Sequence, residues 1–218
     1  MTLTHLLNPL NAPLFVVGSD HVTSAELLGF ATGIWCVWLT VRARVSNFPV
    51  GLANSFFFLV LFFAAGLYAD GSLQIVYLVL GAIGWYQWLH ADGHARRPTT
   101  RAPRRDLLGL GAFVVLATVG LTALLSAVHD VAPFLDALTT ALSLAAQWLL
   151  NYKKTQNWHF WIVADVVYIP LYVYKHLWLT SLVYVGFFTL CFVGLRAWRR
   201  DLGAETVAAR DDLEVAQP

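Results

Sequence analysis

Five residues between positions 158 and 172 have types and spacing that could hold a ligand: Trp158, Trp161, Asp165, Tyr168 and Tyr172. Intervals of three, four, three and four put them on one face of a helix. The face is aromatic, with a single carboxylate near its middle. Aromatic faces attract cations, so the set suits a flat heterocycle, cationic rings included. A plainer role is open to the same residues: Trp and Tyr as packing or interface anchors, and Asp165 hydrogen-bonded to a neighbouring helix. Pro170 in the same stretch frees a backbone carbonyl and predicts a kink close to these groups.

A second stripe runs through Gln74, Tyr77, Gly81, Gly84, Trp85 and Trp88. Its glycines favour close approach of another helix, and Gln74 serves either as polar lining or as an interhelix hydrogen bond. Gln147 and Asn151 lie four apart on one face, flanked by Trp148. Asn54 and Ser55 are the strongly polar groups of an otherwise apolar run. Amides donate and accept at once, which suits ribose hydroxyls or a carboxamide, and equally suits bonding one helix to another. Asn47 and Asn157 are expected as helix N-caps. The candidate binding set is therefore Trp161, Asp165, Trp158, Tyr168, Gln74, Tyr77, Trp85, Trp88, Asn54, Gln147 and Asn151. No HExxH, GxSxG or Walker loop occurs, nor any Cys/His metal spacing, so neither an enzyme nor a cofactor is expected. Cys36 and Cys191 read as buried small hydrophobes.

The elements carrying these groups follow from composition. The chain has 218 residues, 58% hydrophobic and only 12% charged. A soluble domain carries about 25% charge, so this chain lacks the polar residues to cover a water-facing surface. The net charge of +1 gives no pointer to a nucleic-acid partner, and none is expected. Seven apolar runs approach the roughly 20 helical residues that cross a bilayer. They are Leu27–Val41, Phe48–Ala69, Ser72–Leu89, Leu107–Val128, Val131–Tyr152, Trp158–Tyr174 and Leu177–Leu195. The expected fold is an all-α membrane protein of seven transmembrane helices.

Basic residues in short loops stay cytoplasmic. Arg42, Arg44, the group from His94 to Arg105, Lys153, Lys154, Arg196, Arg199 and Arg200 then put the N-terminus outside and the C-terminus inside. Lys175 dissents. Residues 1–24 are read as an interfacial or irregular lead-in, with Pro9 and Pro13 and no signal peptide. The segment 201–218 is read as a disordered cytoplasmic tail.

The two halves match at one fixed, ungapped offset. Glu26 falls on Asp136, Trp38 on Trp148, Arg44 on Lys154 and Asn47 on Asn157. Gly84 likewise falls on Gly194, and Trp88 on Trp198. This implies two like bundles, 25–91 and 131–200, joined by a basic loop at 92–106 and a linker helix at 107–130. The expected arrangement is 3+1+3, a parallel repeat about an axis along the membrane normal. Two similar bundles rocking about a site between them suit transport. A membrane-embedded sensor is the reading from another class.

Asn47-Phe48-Pro49-Val50-Gly51, Leu67-Tyr68-Ala69-Asp70, Leu73-Gln74 and Gly84 through Leu89 are similar to the PnuC family. So are Gln147 through Leu150, Asn157 to Asp165, Leu171-Tyr172, Thr180 and Tyr184. Phe48 departs from the pattern, where many relatives carry Trp. The resemblance implies a SWEET-like 3+1+3 fold in a bacterial inner membrane, commonly as a homotrimer. It implies facilitated diffusion of nicotinamide riboside, trapped by a cytoplasmic kinase, with thiamine, riboflavin or another nucleoside as alternatives.

Overall fold

The computed structural model describes the backbone of residues 13–17, 20–64, 68–90 and 97–215, and side chains at 14, 22–64, 71–90 and 97–204. Seven helices follow in order: α1 Ser24–Val41, α2 Asn47–Ala64, α3 Tyr68–Leu89, α4 Arg104–Ala127, α5 Pro133–Asn151, α6 Asn157–Tyr174 and α7 Trp178–Val215. They coincide with the seven apolar runs to within a few residues, α7's far end excepted. Leu67, Asp92, His94 and Arg96 lie outside the described residues.

Two terminal segments differ from expectation. The lead-in contains a short antiparallel pair, β1 Pro13–Val17 and β2 Asp20–Thr23, with Val17 opposite Asp20. Thr23 then starts α1 with a capping box: Glu26 N–H donates to Thr23 Oγ1 at 3.2 Å, and Thr23 N–H donates to Glu26 Oε2 at 2.8 Å. At the other end α7 runs on to Val215, so the expected disorder from residue 201 is helical backbone as far as that residue. Leu, Ala, Glu and Arg, strong helix formers, supply eight of the fifteen residues there, and a helix already nucleated extends at little cost.

Four helices are long and apolar enough to cross a membrane by length and composition: α1, α2, α4 and the Trp178–Ala204 part of α7. The other three, α3, α5 and α6, carry most of the candidate site residues, and polar groups in hydrocarbon belong on a protected face. Large apolar side chains cover the exterior, among them Trp35, Phe56, Val79, Leu116, Val163 and Leu182. Water disfavours so apolar a surface and lipid does not.

Six helices close a ring, each packed on the next in the order α1, α2, α3, α5, α6, α7 and back to α1. α4 packs on α5 from outside that ring and leaves Leu108, Val115, Leu116 and Val119 exposed. Positions paired by the sequence offset make matching contacts within the ring. The turns after α1 and α5 each pass through a left-handed residue, Ala43 (φ 47°) and Lys153 (φ 50°). Asn47 and Asn157 do not act as N-caps. Each is buried in the first turn and donates its amide back to a carbonyl three residues earlier, Arg44 O at 2.6 Å and Lys154 O at 2.7 Å. The chain enters α6 already helical, with Gln156 at φ −68° and ψ −12°, whereas a capping side chain needs an extended backbone.

Aromatic packing repeats the correspondence. Phe48 meets Trp88 edge to face at 5.2 Å, and Trp158 meets Trp198 the same way at 5.5 Å. Gly84 makes room for Phe48 and for the Asn151 amide, and Gly194 makes room for the Trp158 ring. With Val41, Leu150, Cys191 and Leu195 these aromatics form the buried core.

A strap breaks the correspondence. The segment before α4 lies along the α5–α6 turn, with Thr100 and Lys154 in a parallel bridge. Thr100 N–H donates to Lys153 O at 3.2 Å and Thr155 N–H to Thr100 O at 3.0 Å. Lys153 Nζ reaches Arg97 O at 2.7 Å, Lys154 Nζ reaches Thr100 Oγ1 at 3.0 Å, and Ala102 N–H donates to Gln156 Oε1 at 2.9 Å. Partial burial lowers the Lys154 ammonium pKa, with Arg97 adding to the effect. Among the described residues the α1–α2 turn carries no such segment.

Candidate functional site

The inward face of α6 gathers the groups that the spacing predicts. Asp165 is 3% exposed, and its Oδ2 accepts from Cys191 Sγ of α7 at 3.5 Å. A thiol is a weak donor, so among the described residues most of the carboxylate's acceptor capacity is unused. One turn further on, the Tyr168 hydroxyl lies 3.4 Å from Ser143 Oγ of α5. The Tyr168 ring stacks on Tyr172 at 5.6 Å and meets Tyr184 of α7 at 4.6 Å, and Tyr184 also meets Tyr172 at 4.9 Å. Tyr77 of α3 comes within electrostatic reach of Tyr168, Tyr172 and the Ser143 hydroxyl. Four helices of the ring thus contribute to one cluster of phenols, a hydroxyl and a carboxylate, with Asp165 on the same face of α6 as Tyr168.

The remaining candidates divide. Trp161 is partly buried one turn before Asp165 and packs on the aromatic core. Trp158 and Trp88 belong to that core and are 1% and 4% exposed, so they hold helices together. The Trp88 indole N–H donates to Leu150 O at 3.1 Å, which binds α3 to α5. Asn151 also joins those helices, donating to Leu80 O at 2.8 Å and accepting from Gln147 Nε2 at 3.0 Å. Asn54 joins α2 to α1 through Gly29 O at 3.0 Å and Thr32 Oγ1 at 2.6 Å. Asn54 and Asn151 thus bond one helix to another, while the Gln147 bond stays within α5. Trp85 is 37% exposed and stands apart from the cluster, and Gln74 is half-buried on α3.

Spacing alone missed Ser143, Tyr184 and Cys191 as members of the cluster. Ser143 lies one helical turn before Gln147, the first polar residue singled out on α5. Tyr184 carried a signal only through the family pattern. Nothing local marked Cys191, since it meets Asp165 across 26 residues of chain.

A ring of helices with an apolar exterior defines a multi-pass membrane protein, and its family makes it a transporter rather than an enzyme. It belongs to the nicotinamide mononucleotide transporter family, which matches residues 23–200. The chain is 24% identical over 208 residues to the nicotinamide riboside transporter PnuC of Escherichia coli (strain K12), covering 83% of this chain and 87% of that one. It is 27% identical over 206 residues to the riboflavin/roseoflavin transporter RibM of Streptomyces davaonensis, covering 89% and 95%. The crystal structure of the vitamin B3 transporter PnuC shares the fold, with a TM-score of 0.64 at 21% identity over 83% of this chain and 82% of that one.

Proposed function

We propose that the chain takes up nicotinamide riboside across a bacterial inner membrane by facilitated diffusion, with a cytoplasmic kinase trapping the substrate. The observation that carries this reading is the convergence of Tyr77, Ser143, Asp165, Tyr168, Tyr172 and Tyr184 inside the helix ring. Phenols and a hydroxyl match ribose hydroxyls, and a carboxylate beside aromatic faces matches a pyridinium ring. The site's charge argues for the riboside over the mononucleotide. A phosphate would meet the Asp165 carboxylate, and the nearby Lys175 ammonium is already bonded to Asp136 at 2.7 Å.

A second reading, riboflavin, is favoured by the 27% identity to RibM. Its flat ring and ribityl hydroxyls suit the same phenols, but it brings no positive ring to Asp165. The 3+1+3 parallel-repeat arrangement, similar to SWEET proteins, is supported by the matched contacts of Phe48 with Trp88 and Trp158 with Trp198. The basic loops support an outside N-terminus and an inside C-terminus. We assign the homotrimer by family likeness.

Uptake of labelled nicotinamide riboside, thiamine and riboflavin in cells lacking their own carriers tests the substrate. Preference for riboflavin or thiamine there rejects the first reading. In liposomes the substrate should equilibrate to its outside concentration. Accumulation driven by an imposed proton or sodium gradient would overturn facilitated diffusion and recast Asp165 as a coupling group.

A further inference from the structure

The last apolar turns of α7 end in a feature apart from the α6 cluster described above. Phe192, Leu195, Arg196, Arg199 and Arg200 border an open concavity of about 520 Å³. Their spacing of three, one, three and one places them on one face across two turns. The lower part is apolar, with Phe192 50% exposed, and the upper part holds three exposed guanidinium groups. Among the described residues none of the three forms an ion pair with a carboxylate. Arg199 Nη2 instead lies 3.1 Å from His159 Nε2 of α6. A guanidinium only donates, so that imidazole nitrogen accepts and holds Arg199 over the concavity.

We propose that this concavity binds one anionic phospholipid, its phosphate on Arg196, Arg199 and Arg200 and an acyl chain along Phe192. Three like charges on adjacent turns repel one another unless an anion sits among them, and arginine pairs with phosphate through two parallel hydrogen bonds. A free phosphate would satisfy the guanidinium half alone. A lipid satisfies both halves, and the face stands where the helix passes from apolar to charged, the level of the headgroups. The proposal is independent of the substrate reading above.

The test uses the full chain in nanodiscs of phosphatidylcholine carrying a minor fraction of phosphatidylglycerol, with native mass spectrometry counting the lipid retained after detergent release. The wild type should retain phosphatidylglycerol over phosphatidylcholine. Arg196→Gln with Arg199→Gln should reduce that preference by roughly fivefold per charge removed, at about 1 kcal/mol each. Arg104→Gln with Arg105→Gln, the same charge change at the start of α4, should leave it intact. His159→Ala, which keeps every arginine, should weaken the preference less than the arginine pair does. A monodisperse size-exclusion peak for each variant shows that it is folded. Equal losses from the two arginine pairs would mean general surface attraction and overturn the site. Displacement of phosphatidylglycerol by millimolar inorganic phosphate would overturn the lipid in favour of a soluble anion.

Discussion

Trp88 and Trp198 fall on each other at the sequence offset, and each donates its indole N–H to a backbone carbonyl in the other half of the chain, Leu150 O at 3.1 Å and Thr40 O at 3.0 Å. Those two carbonyls are themselves an equivalent pair at the same offset. The bonds therefore cross, one from the first bundle to the second and one back. Their rings lie 6.0 Å apart, so the two junctions share one buried centre. Each carbonyl also accepts a backbone N–H, Leu150 O from Lys153 at 2.8 Å and Thr40 O from Ala43 at 2.9 Å, so removing an indole donor forfeits one hydrogen bond, worth about 0.5–1.5 kcal/mol. Trp88→Phe and Trp198→Phe should each lower stability by that amount in detergent, read as a shift in thermal unfolding. The two losses should be similar, and the double variant should depart from their sum because the sites touch. A loss at one position and none at the other would reject the correspondence.

The glycines supply an independent check. A methyl group at Gly84 would meet Phe48 and Asn151, and one at Gly194 would meet Trp158. Gly84→Ala and Gly194→Ala should each destabilise by about 1–3 kcal/mol, as overpacking does. Gly120 of α4 has nothing within 4 Å of such a methyl, so Gly120→Ala should be neutral or mildly stabilising. Thermal unfolding of the three variants side by side separates crowding from helix propensity.

At the site, Trp161 and Asp165 lie one turn apart on α6. A Trp face against a desolvated cation is worth about 0.5–2 kcal/mol. Trp161→Ala should weaken substrate binding by roughly threefold to thirtyfold, and Trp161→Phe by less. Asp165→Asn keeps an acceptor for the Cys191 thiol and removes only the charge, so it should hurt a cationic substrate more than a neutral analogue. Calorimetry on folded variants reads both effects. Normal affinity in Trp161→Ala would move the cage elsewhere, and equal losses for both ligands would make Asp165 a helix anchor.

Topology is checked apart from chemistry. A reporter active only in the periplasm, fused after Arg200, should stay silent, and the same reporter placed after Asp130 should be active. The opposite pattern would invert the orientation that the basic loops imply.

Element order was legible because apolar runs and the basic or polar breaks between them survive in one dimension. The starts of α2 and α6 sit within a residue of the predicted runs. The inward face of α6 was legible too, since Asp165, Tyr168 and Tyr172 share a face by spacing alone. What separated Trp161 from Trp158 was not. Both lie on that face, and only the approach of Trp198 and Gly194 from α7 fixes Trp158 in the core. The amides at Asn54 and Asn151 were ambiguous for the same reason. Their partners Gly29 O and Leu80 O are backbone atoms, which carry no signature in the side-chain pattern.

The strap across the α5–α6 turn gives a reason why the two halves have drifted apart where they have. In the parallel-repeat arrangement proposed above, the α1–α2 and α5–α6 turns are equivalent positions. Residues 97–102 are fastened to the α5–α6 turn, so Lys153, Lys154, Thr155 and Gln156 have bonds to hold. Among the described residues their counterparts Ala43, Arg44, Val45 and Ser46 hold no such segment, and only the Arg44–Lys154 charge is common to the two sets. Selection then reads the same backbone bend by two rules. In a set of related sequences, changes at 153–156 should track changes at 97–102, while 43–46 vary on their own.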